Sequence, residues 1–291
     1  MNLLYITFGD NLGIHLQAAF SIYSFLAKDD GGLNSINMIT DKPLFYNHLK
    51  DKIHVIPISK DELTDWQGPH HFFWRIKIKA IEKVCAMYPG SPVVYLDTDT
   101  FLYGNFVQLK DTLLGGTALM HRNEAVLSTG KSSTEKRMWK DIKNVRYDNV
   151  EMRPTDCMWN AGVVATPNNL QNEESRLALA ICDQMCAQGV TRRLIEQYSL
   201  SLALDRLYGL AEAKNEIAHY WTAKKVWDQR IAAFFIEAHF ANWDVKTIIQ
   251  HVKAFKITEM PIDQYTRSTN LKLKKLVDKW YPTKNLEFVK P

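Results

Sequence analysis

Apolar positions along this chain follow two alternating rhythms. Short apolar-rich runs at residues 3–8, 34–40, 53–58 and 93–96 predict strands, that at 3–8 buried and that at 93–96 buried on both faces. Between them the spacing turns helical. Leu16, Ala19, Phe20 and Tyr23 predict a helix over 15–26, and Pro43 opens a short one over 43–49. Over residues 72–87, Trp74, Ile76, Ile78, Ile81 and Val84 alternate with Arg75, Lys77, Lys79 and Lys83, which predicts an amphipathic helix with a solvated basic face. A strand at 117–121 and helices over 173–188 and 191–208 extend the series. Strands alternating with helices predict an α/β fold, with a mixed, mostly parallel sheet flanked by helices.

Two segments break the rhythm. Residues 124–147 are polar and irregular, with small residues at 128–133, and predict an exposed loop that orders around a substrate. At 156–165, Asn160 precedes Ala161, Gly162 and a β-branched run, which puts it at the mouth of a strand where backbones pack closely.

The chemistry concentrates where the run at 93–96 ends. Asp97 and Asp99 follow it with one residue between them, so in an extended backbone both side chains point the same way. Ligands of open α/β sheets bind off the carboxyl ends of strands, and that is where this pair falls. Hard carboxylate oxygens suit magnesium or manganese, ions that keep positions open for substrate phosphates. A phosphohydrolase loop is the rival reading, with the first Asp as nucleophile and a hydroxyl two residues past the second. Phe101 holds that position here. The strand at 3–8 runs into Gly9, Asp10, Asn11 and Gly13, a turn suited to a nucleotide but short of a full glycine fingerprint.

Composition narrows the class. The 291 residues suit one large domain, or one with an appendage, and 46% hydrophobic with 23% charged is ordinary for a globular protein. No apolar run is long enough for a membrane span, and the N-terminus reads as a first strand without a basic leader. Cys85, Cys157, Cys182 and Cys186 lack zinc spacing and read as reduced thiols of a cytoplasmic protein. From Lys256 onward eight Lys and Arg face four Asp and Glu, while the preceding 255 residues balance at zero, so the body has no basic field for nucleic acid.

Several of these pieces, in their order along residues 3–228, resemble the retaining GT-A-fold glycosyltransferases of family 8. The resemblance rests on Tyr95-Leu96-Asp97-Thr98-Asp99, on Trp159-Asn160-Ala161-Gly162-Val163, and on Glu196-Gln197 in place of an Asp-Gln pair. His219-Tyr220 followed by Lys225 and Trp227 fits a His-aromatic…Lys-Pro-Trp motif, and Phe73-Trp74-Arg75 is similar to the Tyr-x-Arg before the metal strand. Gly9 for Asp, Glu196 for Asp, Thr222 for Gly and Val226 for Pro depart from the pattern.

The resemblance implies a GT-A domain over residues 1–255 that moves a hexose from a nucleotide-diphosphate sugar, with uridine favoured, to a glycan or lipid-linked glycan. It implies that Asp97, Asp99 and His219 hold manganese or magnesium, that Lys225 meets the diphosphate, and that Asn160 meets the sugar. Phe8, Asp10, Asn11, Arg75 and Thr98 are candidates for the rest of the donor. Glu196 or Gln197 would position the sugar, although on spacing alone Glu196 reads as an exposed helix residue. Inverting transfer needs a carboxylate base, whereas front-face retention lets the leaving phosphate take the proton, and the residues leave that choice open. A sugar-nucleotide binding protein without turnover is the alternative from another class. In the tail over 256–291, Leu273, Leu276, Val277 and Trp280 keep helical spacing among Lys272, Lys274, Lys275 and Lys279. This predicts a basic amphipathic helix, either docked on the domain or lying peripherally on an anionic inner leaflet.

Overall fold

The computed structural model describes residues 1–167 and 171–263, together with positions 273, 276, 277 and 280. The chain begins with β1 (Asn2–Thr7), α1 (Leu12–Leu26), β2 (Ser35–Thr40), a 3-10 turn at Pro43–Leu49, β3 (His54–Pro57) and α2 (Lys60–Trp66). It continues with α3 (Arg75–Met87), β4 (Val93–Leu96), β5 (Thr100–Leu102), α4 (Phe106–Leu114), β6 (Ala118–Val126) and α5 (Ser133–Ile142). A hairpin of β7 (Arg146–Tyr147) and β8 (Val150–Glu151) precedes β9 (Cys157–Thr166), α6 (Glu173–Ala187) and α7 (Ile195–Tyr208). Last come β10 (Leu210–Glu212), β11 (Ile217–His219), α8 (Lys224–Phe240) and α9 (Val245–Lys253).

Seven strands form one sheet in the order β10-β6-β9-β4-β1-β2-β3. Every neighbouring pair is parallel except those made by β9, which runs antiparallel to both β4 and β6. The expectation of a mixed, mostly parallel sheet is met. Helices cover both faces, as the doubly apolar runs require. Val93 and Tyr95 of β4 point to a core closed by α3, α5, α6 and α7. Val94 and Leu96 point to a second core closed by α1, α4, α8 and α9. Outside the sheet, β11 pairs antiparallel with β5.

The sequence-based expectations need four corrections. Residues 124–147 are not an exposed loop. β6 continues to Val126, and Ser132 then caps α5 by accepting from Glu135 N at 3.1 Å while Glu135 accepts from Ser132 N at 2.8 Å. Met138, Ile142 and Tyr147 lie in the core, and polar neighbours in the sequence masked them. The helix expected over 72–87 begins at Arg75, and that expected over 191–208 begins as a 3-10 turn at Arg192–Leu194. Asn160 is not at the mouth of its strand but inside β9, whose first half overhangs β4.

All four cysteines are free thiols. Among the described residues no helix is long and apolar enough to cross a membrane. Most of the expected tail helix lies outside the described residues; Leu273, Leu276, Val277 and Trp280 are helical and exposed.

Candidate metal centre and its cleft

β4 ends at Leu96, and the next backbone N–H, that of Asp97, donates to Gly162 O at 2.8 Å. β9 therefore runs on past the end of β4 and carries Asn160, Ala161 and Gly162 into the space above it. From the other side, β5 and β11 pair so that His219 lies opposite Thr100, and Tyr220 N donates to Asp99 O at 3.1 Å. Distant pieces of sequence are thus fixed to one another by backbone hydrogen bonds. Their side chains converge.

One ligand atom from each of Asp97, Asp99 and His219 lies within 4.8 Å of the others. His219 Nδ1 is 2.9 Å from Asn160 Oδ1, an acceptor, so this nitrogen carries the proton and donates. That leaves Nε2 facing Asp99 Oδ1 at 3.2 Å. With Nδ1 committed to Asn160, Nε2 is the ring nitrogen that faces the carboxylates: as an imidazolium it pairs with Asp99, and as a neutral ring it offers its lone pair to an ion held with them. The donor set of two carboxylates and an oriented imidazole fits a divalent ion. Asn160 is itself fixed, because its Oδ1 also accepts from Gly162 N at 3.1 Å. Gly162 has no freedom to change, since a Cβ there would run into the His219 ring.

Burial opposes ionisation of Asp99, but the hydrogen bond and charge of His219 and the ammonium of Lys224 outweigh it and hold the carboxyl well below its usual range. Lys224 Nζ lies 3.0 Å from Asp99 Oδ2. Beside this group, the edge of His121 meets the His219 ring with centroids 5.2 Å apart. Burial above all, then the His219 charge, pushes the His121 imidazole down to about 3, so it stands neutral against its neighbour.

Under the cluster lies a buried lysine. Lys77 Nζ donates to Ala161 O at 3.0 Å and forms ion pairs with Glu196 Oε1 at 3.0 Å and Asp97 Oδ1 at 3.4 Å. Burial works against the ammonium, yet Asp97 and Glu196 more than offset it and raise the Lys77 pKa. Glu196 is buried rather than exposed, and burial raises its carboxyl against the pull of Lys77. Tyr95 OH donates to Asp97 Oδ1 at 2.6 Å, which fixes the first carboxylate from below.

The cluster divides one cleft into two halves that share Trp74, Lys77, Asp97 and Asp99. The first encloses about 370 Å³ and is walled by Ile6, Phe8, Ile14, Phe73 and Thr98, with Lys224 at its edge. The second encloses about 490 Å³ between β9, the start of α5 and the start of α7. There Glu124 accepts from Asn160 Nδ2 at 3.2 Å and from Gln197 Nε2 at 3.0 Å, joining the two expected sugar-side residues.

Three expected placements change. Arg75 does not reach the cleft; it grips Asp183 with Nε at 2.7 Å and Nη2 at 3.0 Å, tying α3 to α6. Two residues on, about 200° around the helix, Lys77 takes the inward position. Lys225 is exposed and does not line the cleft, because α8 begins at Lys224 and one residue's rotation turns Lys225 away. Asn11 caps α1, accepting from Gly13 N at 3.0 Å, and is not in the cleft wall. Of the others, Phe8 lines the cleft, Thr98 Oγ1 lines it and donates to Gln17 Oε1 at 3.1 Å, and Asp10 sits 81% exposed, paired with Lys42 at 2.6 Å.

Lys77, Glu124, Lys224 and His121 were not singled out from the sequence. For Lys77 a signal existed: Trp74, Lys77, Ile78 and Ile81 share one helix face at i, i+3, i+4 and i+7, so this lysine sits within an apolar stripe.

No protein-family model matches the chain. A dTTP/UTP pyrophosphatase of Elusimicrobium minutum is 30% identical over 101 residues, covering 29% of this chain and 55% of that protein. The chain therefore spans about half the length of the curated relative it matches. Among solved structures, the galactosyltransferase LgtC in complex with donor and acceptor sugar analogs is 17% identical, with 73% of each chain covered and a TM-score of 0.46. Mouse xyloside xylosyltransferase 1 is 13% identical over 73% of this chain and 85% of that one, with a TM-score of 0.48.

Proposed function

We propose that the chain is a metal-dependent GT-A glycosyltransferase that takes a hexose from a nucleotide-diphosphate sugar, with uridine as the base, and delivers it to a glycan or lipid-linked glycan. The observation that carries the reading is the meeting of Asp97, Asp99 and His219 at the end of β4, between an apolar half-cleft and a polar one. The nucleoside belongs to the half walled by Phe8 and Phe73, and the sugar to the half holding Asn160, Gln197 and Glu124. Asp97, Asp99 and His219 would hold manganese or magnesium, whose chemistry when bound is Lewis-acid neutralisation of a departing diphosphate.

The rest is done by the chain's own groups. Lys224 has a mobile ammonium 3.0 Å from Asp99 and within reach of phosphate oxygens at the same edge. Lys77 lies between Asp97 and Glu196 and supplies the one cation that both carboxylates face in a buried setting. Asn160, Gln197 and Glu124 form one hydrogen-bonded set that orients sugar hydroxyls. Glu196 is held by Lys77 and acts as a positioning group. The transfer then proceeds with retention, the acceptor proton passing to the leaving phosphate.

The phosphohydrolase alternative loses its hydroxyl, since the position where one is needed is Phe101, 1% exposed in the core. The test is a panel of nucleotide-diphosphate sugars incubated with the full chain in manganese or in EDTA. The expected result is release of nucleoside diphosphate and free sugar from one donor, only with metal. Release of nucleoside monophosphate from UTP or dTTP, donor binding without turnover, or equal turnover in EDTA would overturn the reading.

A further inference from the structure

The polar half of the cleft extends beyond the sugar-side residues to Arg193 and Trp221. Arg193 is exposed on the turn before α7 and has no hydrogen-bond or ion-pair partner among the described residues, whereas its neighbour Arg192 donates to His70 O at 2.5 Å. The carboxylates on the same walls are already committed. Glu124 accepts from Asn160 and Gln197, and Glu135 closes the α5 cap. The other lysine or arginine of this half, Lys77, is buried among its own acceptors. One guanidinium therefore faces an open cleft without a counter-ion from the chain. On the wall of the same half, Trp221 is 45% exposed and touches no other aromatic ring among the described residues. A half-exposed indole on a cleft wall is a flat apolar surface of the kind a pyranose ring covers.

We propose that this outer part is an acceptor subsite for a glycan bearing an anionic group, with Trp221 under a sugar ring and Arg193 reading the charge. The planar fork of an arginine fits a carboxylate or a phosphate oxygen pair, and such charge-assisted bonds are among the stronger polar contacts. Arg193 lies at the rim, three residues before Glu196, so the acidic end of the acceptor stays outside while its hydroxyl points inward, away from repulsion by Asp97, Asp99 and Glu196. Calling the ligand an acceptor rests on the glycosyltransferase reading; the preference for an anion does not.

The experiment titrates the full chain in EDTA with methyl glucoside, methyl glucuronide and glucose 6-phosphate, read by tryptophan fluorescence. EDTA removes any contribution from an ion at the Asp97–Asp99 pair. At least one of the two acidic sugars is expected to bind about tenfold tighter than the neutral one, methyl glucuronide if the source is a carboxylate and glucose 6-phosphate if it is a phosphate. Arg193→Gln is expected to abolish that preference without changing donor hydrolysis or the melting temperature. Equal binding of all three sugars, none included, would overturn the proposal. So would a preference that survives Arg193→Gln, which would assign the anion to Lys224. Donor hydrolysis, measured in parallel with metal, judges the glycosyltransferase reading separately.

Discussion

The two halves of the cleft are built differently, although Asp97 and Asp99 belong to both. On the β9 and α7 side, Lys77, Glu196, Asn160 and His219 are buried, Lys77 paired with Glu196 and Asn160 with His219. On the β1–α1 side, Asp10 is exposed, its partner Lys42 forms a surface pair, and Asn11 serves its own helix. Exposed pairs of that kind contribute little, whereas removing one member of a buried set leaves a charge without solvent or partner. The comparison teaches where geometry is enforced. The side that would handle the sugar and the departing charge is over-determined, and the side that would meet the nucleoside is permissive.

The largest effect tests the shared boundary. Asp97→Asn or Asp99→Asn is expected to lower metal-dependent donor turnover by about a thousandfold or more while circular dichroism stays native. Next comes the buried side alone. Lys77→Met strips Glu196 and Asp97 of their common cation and is expected to cost about 3–5 kcal/mol, a melting-temperature drop on the order of 10 °C. Glu196 has a folded-state pKa raised above its unfolded value, so the folded state holds its proton more tightly and lower pH favours folding. The Lys77→Met deficit should therefore shrink as pH falls through the Glu196 titration, and a deficit independent of pH would remove Glu196 from the account.

A smaller contrast separates two adjacent lysines. Lys224→Ala is expected to raise the donor KM about tenfold, and Lys225→Ala to leave it within about twofold. The reverse order in steady-state kinetics would return the phosphate contact to Lys225. The smallest effect belongs to the open side: Asp10→Ala should leave the urea-unfolding midpoint where it is in the native chain.

Much of this is legible in the sequence alone. The run from Val93 to Leu96 ending in Asp97 and Asp99 marked the site, because strand direction and side-chain alternation alone bring two carboxylates together above a sheet. Their meeting with His219 needed the pairing of β5 with β11, three-residue strands too short to announce themselves. Arg75 looked better placed than Lys77 because charge was read as solvated, although Lys77 stood in the apolar stripe. Lys225 was favoured by motif spacing, and helix phase then turned Lys224 inward instead. The polar surface of residues 124–147 hid a capped helix whose buried residues are few and widely spaced. α8 was missed for the opposite reason: it buries Trp227, Ile231 and Phe234 yet exposes Ile236 and Phe240, so apolar residues surround it and no single stripe stands out.

Whether the convergence of two carboxylates and one imidazole is a metal centre is decided most directly by manganese titration followed by electron paramagnetic resonance. The account predicts one ion per chain, with nitrogen coupling from a histidine that disappears in His219→Ala and binding that is lost in the Asp97→Asn, Asp99→Asn double variant. An ion bound equally well by that double variant, or a spectrum without nitrogen coupling in the native chain, would contradict it.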